Sequence, residues 1–344
     1  MLLCQSSRCR WIPVPGKRGD YKGREKGMAT SGVKSETLAR VEVPMTFTKR
    51  FENVFGKDAL AGYGFILPAT IVLVALVAYP FGLSVYYSLS DKVIGRPGSF
   101  IGLDNFLYII FDDDIFRRTL RNTLIFATVA VALKASFGLG LALLLKQATK
   151  LKRFFRGAVL VPFVAPTALT TLGWWLIFDP TYSQLNWVLK RLGLPTYYWL
   201  GDETLALCAV IFVNFWRGLP FFAVTMFAGL VAIPQELYEA AETDGASAFS
   251  RFLYITLPLL RPVMAIIILF STIFTLADFN IVYVLTRGGP MNSTHLFATY
   301  AYTMGIMNSD LGTGAAISLF LFPILVFVVI FQLKMVRRQT DYAL

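Results

Sequence analysis

Residues 234–262, PQELYEAAETDGASAFSRFLYITLPLLRP, form the longest polar interruption in the C-terminal half of the chain and lie between two long apolar runs. The opening proline suits the first position of a short helix, and Gly245 is the residue type that most readily adopts the left-handed conformation that ends one. Ser247 predicts the N-cap of a second short helix, and Pro258 and Pro262 predict its end. The stretch therefore predicts two small helices joined by a glycine turn, a compact unit suited to docking.

The composition excludes an ordinary soluble domain. Hydrophobic residues make up 56% of the 344 residues and charged residues 15%, and several apolar runs reach the roughly 20 residues that cross a bilayer as a helix. We expect an all-α polytopic membrane protein with six transmembrane helices and with the 234–262 stretch between the fourth and the fifth. The expected spans are, in chain order, 63–89, 123–145, 157–178, 205–231, 263–285 and 314–333.

Several classes of function find no support in the sequence. The single histidine, His295, and the three cysteines form neither a metal-ligand cluster nor a disulfide framework, and no phosphate-binding GxxxxGK[ST] loop occurs. A membrane-embedded enzyme would need a nucleophile–base pair or metal ligands, which one histidine cannot supply. An ion-gradient-driven transporter would be expected to show internal repeats, and none is convincing. We expect no catalytic residue, no metal and no cofactor in this chain.

Basic residues are unevenly distributed along the chain, which has a net charge of +11. Residues 1–57 hold twelve Lys and Arg against five acidic residues, and we expect a disordered basic tail near anionic lipid. The tail lacks the interleaved aromatic residues of a nucleic-acid-binding domain. Over the tails and connections, twenty-two basic residues fall on the side of both termini and of 234–262, against eight on the other side. This excess predicts that both termini are cytoplasmic. With the tail ending at residue 57, we expect residues 58–344 to form the membrane domain.

Ten positions at fixed spacing within 234–262 carry a family resemblance. They are Glu239, Ala240, Ala241, Asp244, Gly245, Ala246, Ile255, Leu257, Pro258 and Pro262. Together they resemble the EAA loop of ABC-importer permeases, which in that family is the coupling helix that fits a cleft on the cytoplasmic ATPase. The resemblance implies ATPase-coupling roles for Glu239, Ala240, Ala241, Asp244, Gly245, Ala246 and Pro258. The alternative is an ordinary amphipathic helix pair at the membrane interface.

Other stretches are similar to the carbohydrate branch of that family, over about residues 60–338. The most specific is DFNIVYVLTRGGPMNST at 278–294, although Arg287 stands where the branch often has glycine. Within it, a turn cluster is either a plain hairpin turn or, as the resemblance implies, a contact with an extracytoplasmic substrate-binding protein. The residues of that cluster are Gly288, Gly289, Pro290 and Asn292.

Polar residues within apolar runs are costly in a membrane, so each is a candidate site. Amides and charges hydrogen-bond sugar hydroxyls, and aromatic faces stack on sugar C–H surfaces. The candidate pathway residues are Asn214, Trp216, Arg217, Asp278, Asn280 and Tyr283. In the alternative, Arg217 pairs with Asp278 to fix two helices and Asn214 joins helices. Lys134 either faces the bundle interior or reaches towards the cytoplasm, and the aspartates 112–114 are most simply a solvated loop.

The resemblance implies the permease subunit of a binding-protein-dependent ABC importer that moves a carbohydrate across a bacterial or archaeal cytoplasmic membrane. The implied partners are a cytoplasmic ATPase dimer that binds the ATP, a second permease, an extracytoplasmic substrate-binding protein and membrane lipid, with no nucleic acid. The alternative substrate is glycerol-3-phosphate or another polyol phosphate, with Arg217 or Arg287 as the anion contact. Because nothing before Met28 or Met45 resembles the family, each is an alternative start to Met1.

Overall fold

The structure, a computed structural model, describes residues 57–147 and 152–341. The chain divides into two compact units, residues 1–66 and 67–344. Of the first unit, the described part is residues 57–66, which are helical. The basic tail predicted for residues 1–57 therefore lies outside the described residues, apart from Lys57.

The described part of the chain is almost entirely helical, which confirms the all-α prediction, and its strand-like pairing is limited to two isolated β-bridges. Short π-helical turns at Val74–Ala78 and Phe252–Thr256 join consecutive helices without a break, and a third at Thr303–Met307 extends the helix that precedes it. The helices are α1 (Lys57–Leu73), α2 (Tyr79–Ser88), α3 (Asp104–Phe111), α4 (Asp114–Gln147), α5 (Lys152–Val164), α6 (Thr167–Phe178), α7 (Gln184–Arg191), α8 (Glu203–Ala232), α9 (Gln235–Thr243), α10 (Ala248–Arg251), α11 (Leu257–Leu276), α12 (Asn280–Leu285), α13 (Phe297–Tyr302) and α14 (Leu311–Asp341).

Within 57–147 and 152–341, five helices are long and apolar enough to cross a membrane. They are Gly62–Ser88, Asp114–Gln147, Glu203–Ala232, Ala248–Leu276 and Leu311–Lys334. The first, second, fourth and sixth predicted spans fall on helices of this set and are confirmed. The third and fifth need correction.

The predicted third span, 157–178, is wrong as a single straight helix. It is a pair of helices, Phe154–Val164 and Thr167–Phe178, bent by 90°. The bend falls at Pro166, whose φ of −56° and ψ of 126° are extended rather than helical. Proline has no N–H to continue the hydrogen-bond ladder, and it moves the preceding residue out of the helical region. A broken span or a re-entrant loop results.

The predicted fifth span, 263–285, is shifted towards the C-terminus relative to the observed helix. The helix runs from Ala248 to Leu276, straight through Pro258 and Pro262, so the expectation that these prolines end the preceding short helix is wrong. In the π-helical turn just before Pro258, the Leu257 N–H bonds to the Phe252 carbonyl, five residues back. That wider turn makes room for the proline ring, which clashes with the carbonyl four residues earlier in an ordinary α-helix.

The packing of α4 against α8 forms the centre of residues 67–344. Gly138 of α4 permits the contact, because a Cβ there would lie 2.5 Å from the Cβ of Phe222. Phe222 is fully buried with Met226 and Leu230 of the same helix. Elsewhere large apolar side chains are exposed, such as Phe327, as expected of surfaces that meet lipid or other subunits.

Two buried polar residues near the start of α3 and α4 hold helix ends in place. The Asn105 amide donates hydrogen bonds to the carbonyls of Ser88 and Ser90, both at 2.9 Å. Asp113 accepts from two backbone N–H groups in the first turn of α4 at 2.9 and 3.0 Å, and the Tyr300 hydroxyl donates to its other oxygen. The expectation that the aspartates 112–114 form a solvated loop is therefore wrong for Asp113, which is an N-cap.

Candidate functional site

A polar cluster lies where α4, α8 and the end of α11 meet. Asn214 on α8 donates from Nδ2 to Oδ2 of Asp278 at 2.8 Å. Lys134 on α4 donates from Nζ to Oγ1 of Thr275 at 2.9 Å. Lys134, Arg217 and Asp278 are close enough for their charges to interact. We call Lys134, Asn214, Arg217, Thr275 and Asp278 the membrane cluster.

Two buried atoms of the membrane cluster have no hydrogen-bond partner in the described part of the chain, Oδ1 of Asn214 and Nε of Arg217. In the structural alternative to a pathway role, Arg217 was expected to pair with Asp278, but no ion pair forms between them within 4.0 Å. A buried polar atom left unpaired costs about 1–3 kcal/mol. These atoms therefore mark a place where a ligand or another subunit can supply partners.

Lys134 faces the interior of the helix bundle, which settles the choice that the sequence left open. Its side chain is 4% exposed and passes over Gly218 of α8. A Cβ on Gly218 would lie 2.6 Å from Cδ of Lys134. A larger residue at 218 would displace the lysine.

Two aromatic groups lie on elements next to the cluster. Trp216 meets Trp174 of α6 edge to face, with ring centroids 5.3 Å apart. Tyr283 stacks on Phe279 at 4.9 Å and meets Tyr302 edge to face at 5.2 Å. These rings have the chemistry of sugar-stacking surfaces.

A groove of about 470 Å³ opens beside the second aromatic group, lined in part by Phe279, Tyr302 and Ser84. Asn280, another predicted pathway residue, is exposed at the first position of α12. The structure gives it no bond to the membrane cluster. Asp278, which was expected inside a span, lies after the end of α11, where its Oδ1 accepts from the Ile281 N–H at 3.2 Å.

The polar stretch between α8 and α11 folds into two short helices around a tight turn, and we call residues 235–251 the knob. Gly245 has a φ of +79°, as its sequence position predicts. The Ala246 N–H bonds to the Ala241 carbonyl at 2.8 Å and the Gly245 N–H to the Glu242 carbonyl at 3.0 Å, which together make a Schellman motif. The Ser247 hydroxyl accepts from the Ser250 N–H at 3.2 Å, so the predicted N-cap is confirmed.

One face of the knob is bonded to the rest of the protein. The Tyr238 hydroxyl lies 2.9 Å from Oγ1 of Thr256, and Nζ of Lys146 lies 4.6 Å from the centre of the Tyr238 ring. Glu242 and Arg251 form an ion pair at 2.8 Å between the two knob helices. The knob is therefore held as one body at the end of α4 and the start of α11.

The opposite face of the knob is open. Glu239, Ala240, Asp244 and Gly245 are exposed, whereas Ala241 and Ala246 are half-buried. A Cβ at Gly245 would meet nothing within 4 Å. Pro258, the remaining predicted coupling residue, lies half-buried in the first turn of α11 rather than on this face.

The loop of residues 286–294 is closed by its own hydrogen bonds. The hydroxyls of Thr286 and Thr294 lie 2.8 Å apart, and the Thr294 hydroxyl donates to the Gly289 carbonyl at 2.7 Å. The Thr294 N–H bonds to the Gly288 carbonyl at 3.1 Å, and the Gly289–Pro290 peptide is cis. The loop is therefore fixed by internal hydrogen bonds and is not a simple hairpin turn.

The residues predicted to contact a binding protein lie at different depths in this loop. Gly288 is buried, and a Cβ there would overlap the His295 ring. Asn292 is half-buried, and its carbonyl accepts from Nδ2 of Asn122 at 3.2 Å. Met291, which the sequence did not single out, is the most exposed of these residues at 74%.

His295 is buried beneath the 286–294 loop, with 4% of its surface exposed. Its Nδ1 lies 3.2 Å from Oγ1 of Thr299. Burial disfavours the charged ring and lowers the pKa of His295 from 6.5 to about 4. Across the described ranges, no group of three His, Cys, Asp or Glu side chains is arranged to hold a metal.

Comparison with known proteins gives a family and relatives. Residues 134–341, more than half of the chain, match the family described as binding-protein-dependent transport system inner membrane component. The trehalose/maltose transport system permease protein MalF of Thermococcus litoralis is 37% identical over 289 residues, covering 83% of this chain and 96% of that protein. The sulfoquinovosyl glycerol transport system permease protein SmoG of Agrobacterium fabrum is 35% identical over 284 residues, covering 82% and 92%.

A solved structure shares the fold. It belongs to a bacterial ABC transporter involved in the import of the acidic polysaccharide alginate, and it covers 84% of this chain and 99% of its own with a TM-score of 0.72. The two sequences are 23% identical, so this likeness concerns the fold alone.

Proposed function

The chain belongs to the family of binding-protein-dependent transport system inner membrane components, and on that premise we propose that it is the permease subunit of an ABC importer that moves a carbohydrate across a cytoplasmic membrane. The observation that carries the proposal is the 37% identity, over 83% of this chain, to a trehalose/maltose permease. The family consists of transport components rather than enzymes. A second relative is named for a sugar glycerol conjugate, so a carbohydrate is favoured over the polyol-phosphate alternative.

We assign the knob to the ATPase partner. Its exposed face carries small residues, which permit close backbone approach, and the carboxylates of Glu239 and Asp244, which suit a basic surface. ATP binding would close an ATPase dimer and move the knob, and the helix that continues from the knob would carry that movement into the membrane. Hydrolysis in the partner would reset the arrangement. The twenty-two basic residues on the side of the knob and termini, against eight opposite, support a cytoplasmic location.

We assign the substrate pathway to the membrane cluster and the adjacent rings. Asn214 offers an acceptor that has no partner in the described part of the chain, and Trp216 and Tyr283 provide aromatic faces for sugar C–H surfaces. A second permease subunit would complete the pathway from the other side. The 286–294 loop, with Met291 as its exposed point, is the proposed contact for a substrate-binding protein that delivers the sugar.

The proposal is tested with the full chain purified from its native host together with the subunits that accompany it. Reconstituted into proteoliposomes with its binding protein, the complex should transport radiolabelled maltose or trehalose only when ATP is present on the side of the membrane that the knob faces. Glu239→Lys should reduce the recovery of the ATPase and the uptake together. Asp104→Lys makes the same charge change at an exposed position of α3 and should alter neither. Uptake without any ATPase bound would contradict the proposal.

A further inference from the structure

The charges of the membrane cluster do not balance. It contains two cationic side chains, Lys134 and Arg217, against the one carboxylate of Asp278. Both Asp278 oxygens already accept hydrogen bonds, from Nδ2 of Asn214 at 2.8 Å and from the Ile281 N–H at 3.2 Å. Neither cation lies within 4.0 Å of that carboxylate. An excess of positive charge remains.

Such an excess is expensive at membrane depth, where charged side chains are normally paired. Within residues 57–147 and 152–341, Nε of Arg217 is buried without a hydrogen-bond acceptor, and Lys134 donates to one acceptor, the Thr275 hydroxyl. Arg217 as a residue is half-buried, so part of its surface is open to a ligand. Lys134 is more deeply buried, at 4% exposed, and its charge interacts with that of Arg217.

Next to these donors lies an acceptor. Oδ1 of Asn214 is buried and has no hydrogen-bond partner among the described residues. Asn214 is three residues before Arg217 on α8, which places both side chains on the same helix face. A ligand that satisfies both residues needs an anionic group for the guanidinium and a hydroxyl that donates to the amide oxygen. A sugar acid carries both within one ring.

We infer that the membrane cluster recognises an anionic group, a carboxylate or a sulfonate, on the transported carbohydrate. Arg217 binds the anion through charge-assisted hydrogen bonds, for which the guanidinium fork is well shaped. Lys134 strengthens the positive field, and Asn214 accepts from a neighbouring hydroxyl. The inference rests on the proposed function and narrows its substrate class to acidic sugars.

The test compares matched sugars that differ only in a carboxylate, with the assembled transporter in nanodiscs and without binding protein. The radiolabelled pairs are glucose and glucuronate, galactose and galacturonate, and cellobiose and cellobiouronate. In at least one pair the acid should bind about tenfold or more tightly than its neutral partner, the size expected of one charge-assisted contact. Arg217→Gln and Lys134→Met should each lower the ratio of acid affinity to neutral-sugar affinity to about one, and this ratio, rather than the absolute affinity of either sugar, is the readout.

Controls separate recognition from folding and from bulk charge. Arg217→Lys keeps the positive charge and should therefore keep part of the preference for the acid. A variant that lost the preference through misfolding would keep none of it. Lys190→Met removes a cation at an exposed position of α7 and should change nothing. Each variant is also checked for an unaltered thermal unfolding midpoint in nanodiscs.

The outcomes distinguish this inference from the proposed function. If neutral sugars bind in nanodiscs and maltose or trehalose is imported in the proteoliposome assay, but the acids bind no better or the preference survives both Arg217→Gln and Lys134→Met, the inference fails and the proposed function stands. If no member of any pair binds while maltose or trehalose is imported in the proteoliposome assay, the inference alone fails; if that import is also absent, both fail.

Discussion

The amide of Asn214 donates a 2.8 Å hydrogen bond to the carboxylate of Asp278, across 64 residues of sequence. This contact joins α8 to the turn that follows α11. It occupies Oδ2 of Asp278, which forms no ion pair within 4.0 Å with Arg217, the partner that the sequence suggested. The two residues thus fix the charge pattern of the membrane cluster.

Asn214→Ala should weaken both folding and substrate recognition. The change leaves Oδ2 of Asp278 without its donor, which should cost about 1–3 kcal/mol of unfolding free energy, and it removes the acceptor that we assign to a sugar hydroxyl. Thermal unfolding in nanodiscs and the apparent KM of uptake measure the two effects. Cys208→Ala, at an exposed position of the same helix, is the matched control. An unchanged KM in Asn214→Ala would remove this residue from the pathway.

Gly245→Ala should impair coupling to the ATPase. Alanine at a φ of +79° is strained by about 1 kcal/mol, and relief of that strain would open the Schellman turn. The number of sugars imported per ATP hydrolysed should therefore fall. Gly193→Ala provides a control with similar local strain, since Gly193 has a φ of +71° and equally open surroundings but lies beyond α7. Equal losses in the two variants would show that strain alone is responsible.

The Glu242–Arg251 ion pair should matter for coupling more than for stability. It joins the two knob helices at 2.8 Å, with side chains 68% and 23% exposed, so its contribution to unfolding free energy should stay below about 1 kcal/mol. Glu242→Arg should reduce ATPase-coupled uptake, and the double variant Glu242→Arg with Arg251→Glu should recover most of it. Absence of recovery would mean that these side chains act separately.

Gly288→Ala should destabilise the protein strongly. A Cβ at this position overlaps the His295 ring, and the φ of +88° adds strain, so we expect a loss of about 2–4 kcal/mol. Gly289→Ala is the matched control, because its Cβ would approach nothing closer than 3.4 Å. Thermal unfolding midpoints of the two variants give the comparison, and a milder effect at 288 than at 289 would contradict the described loop packing.

Stability should fall as the pH decreases from about 6.5 to about 4 because of His295. Its pKa is lowered to about 4 in the folded protein from 6.5, so protonation favours the unfolded chain throughout that window and the full stability is present above it. The contribution is of the order of 3 kcal/mol. His295→Gln should flatten the pH dependence of the unfolding midpoint. Because the chain has one histidine, an unchanged slope would assign the whole effect to carboxylates.

Hydropathy alone located most of the fold, and the two corrections both involve proline. The sequence treats Pro166 as one residue in an apolar run, whereas it breaks the third span by 90°. Conversely Pro258 and Pro262 were expected to end a helix that continues through them. Whether a proline breaks or is absorbed depends on the neighbouring turn, here a π-helical one at Phe252–Thr256, and single-residue propensity does not contain that information.

Polarity within apolar runs located part of the membrane cluster. Asn214, Arg217 and Asp278 stand out in the sequence because such residues are rare at membrane depth. Thr275 does not, since a threonine hydroxyl in an apolar helix is often satisfied by its own backbone. Its partner is Lys134, 141 residues away, and only tertiary packing reveals which way that lysine points.

The helix that leaves the knob is unbroken for 29 residues, from Ala248 to Leu276, a length of about 43 Å at 1.5 Å per residue. In the proposed function, a tilt that the ATPase imposes on this helix at the knob would also displace Thr275 and change its distance to Lys134. The movement of the ATPase and the binding of the sugar by the membrane cluster would then change together. Release of the sugar would require no separate conformational change.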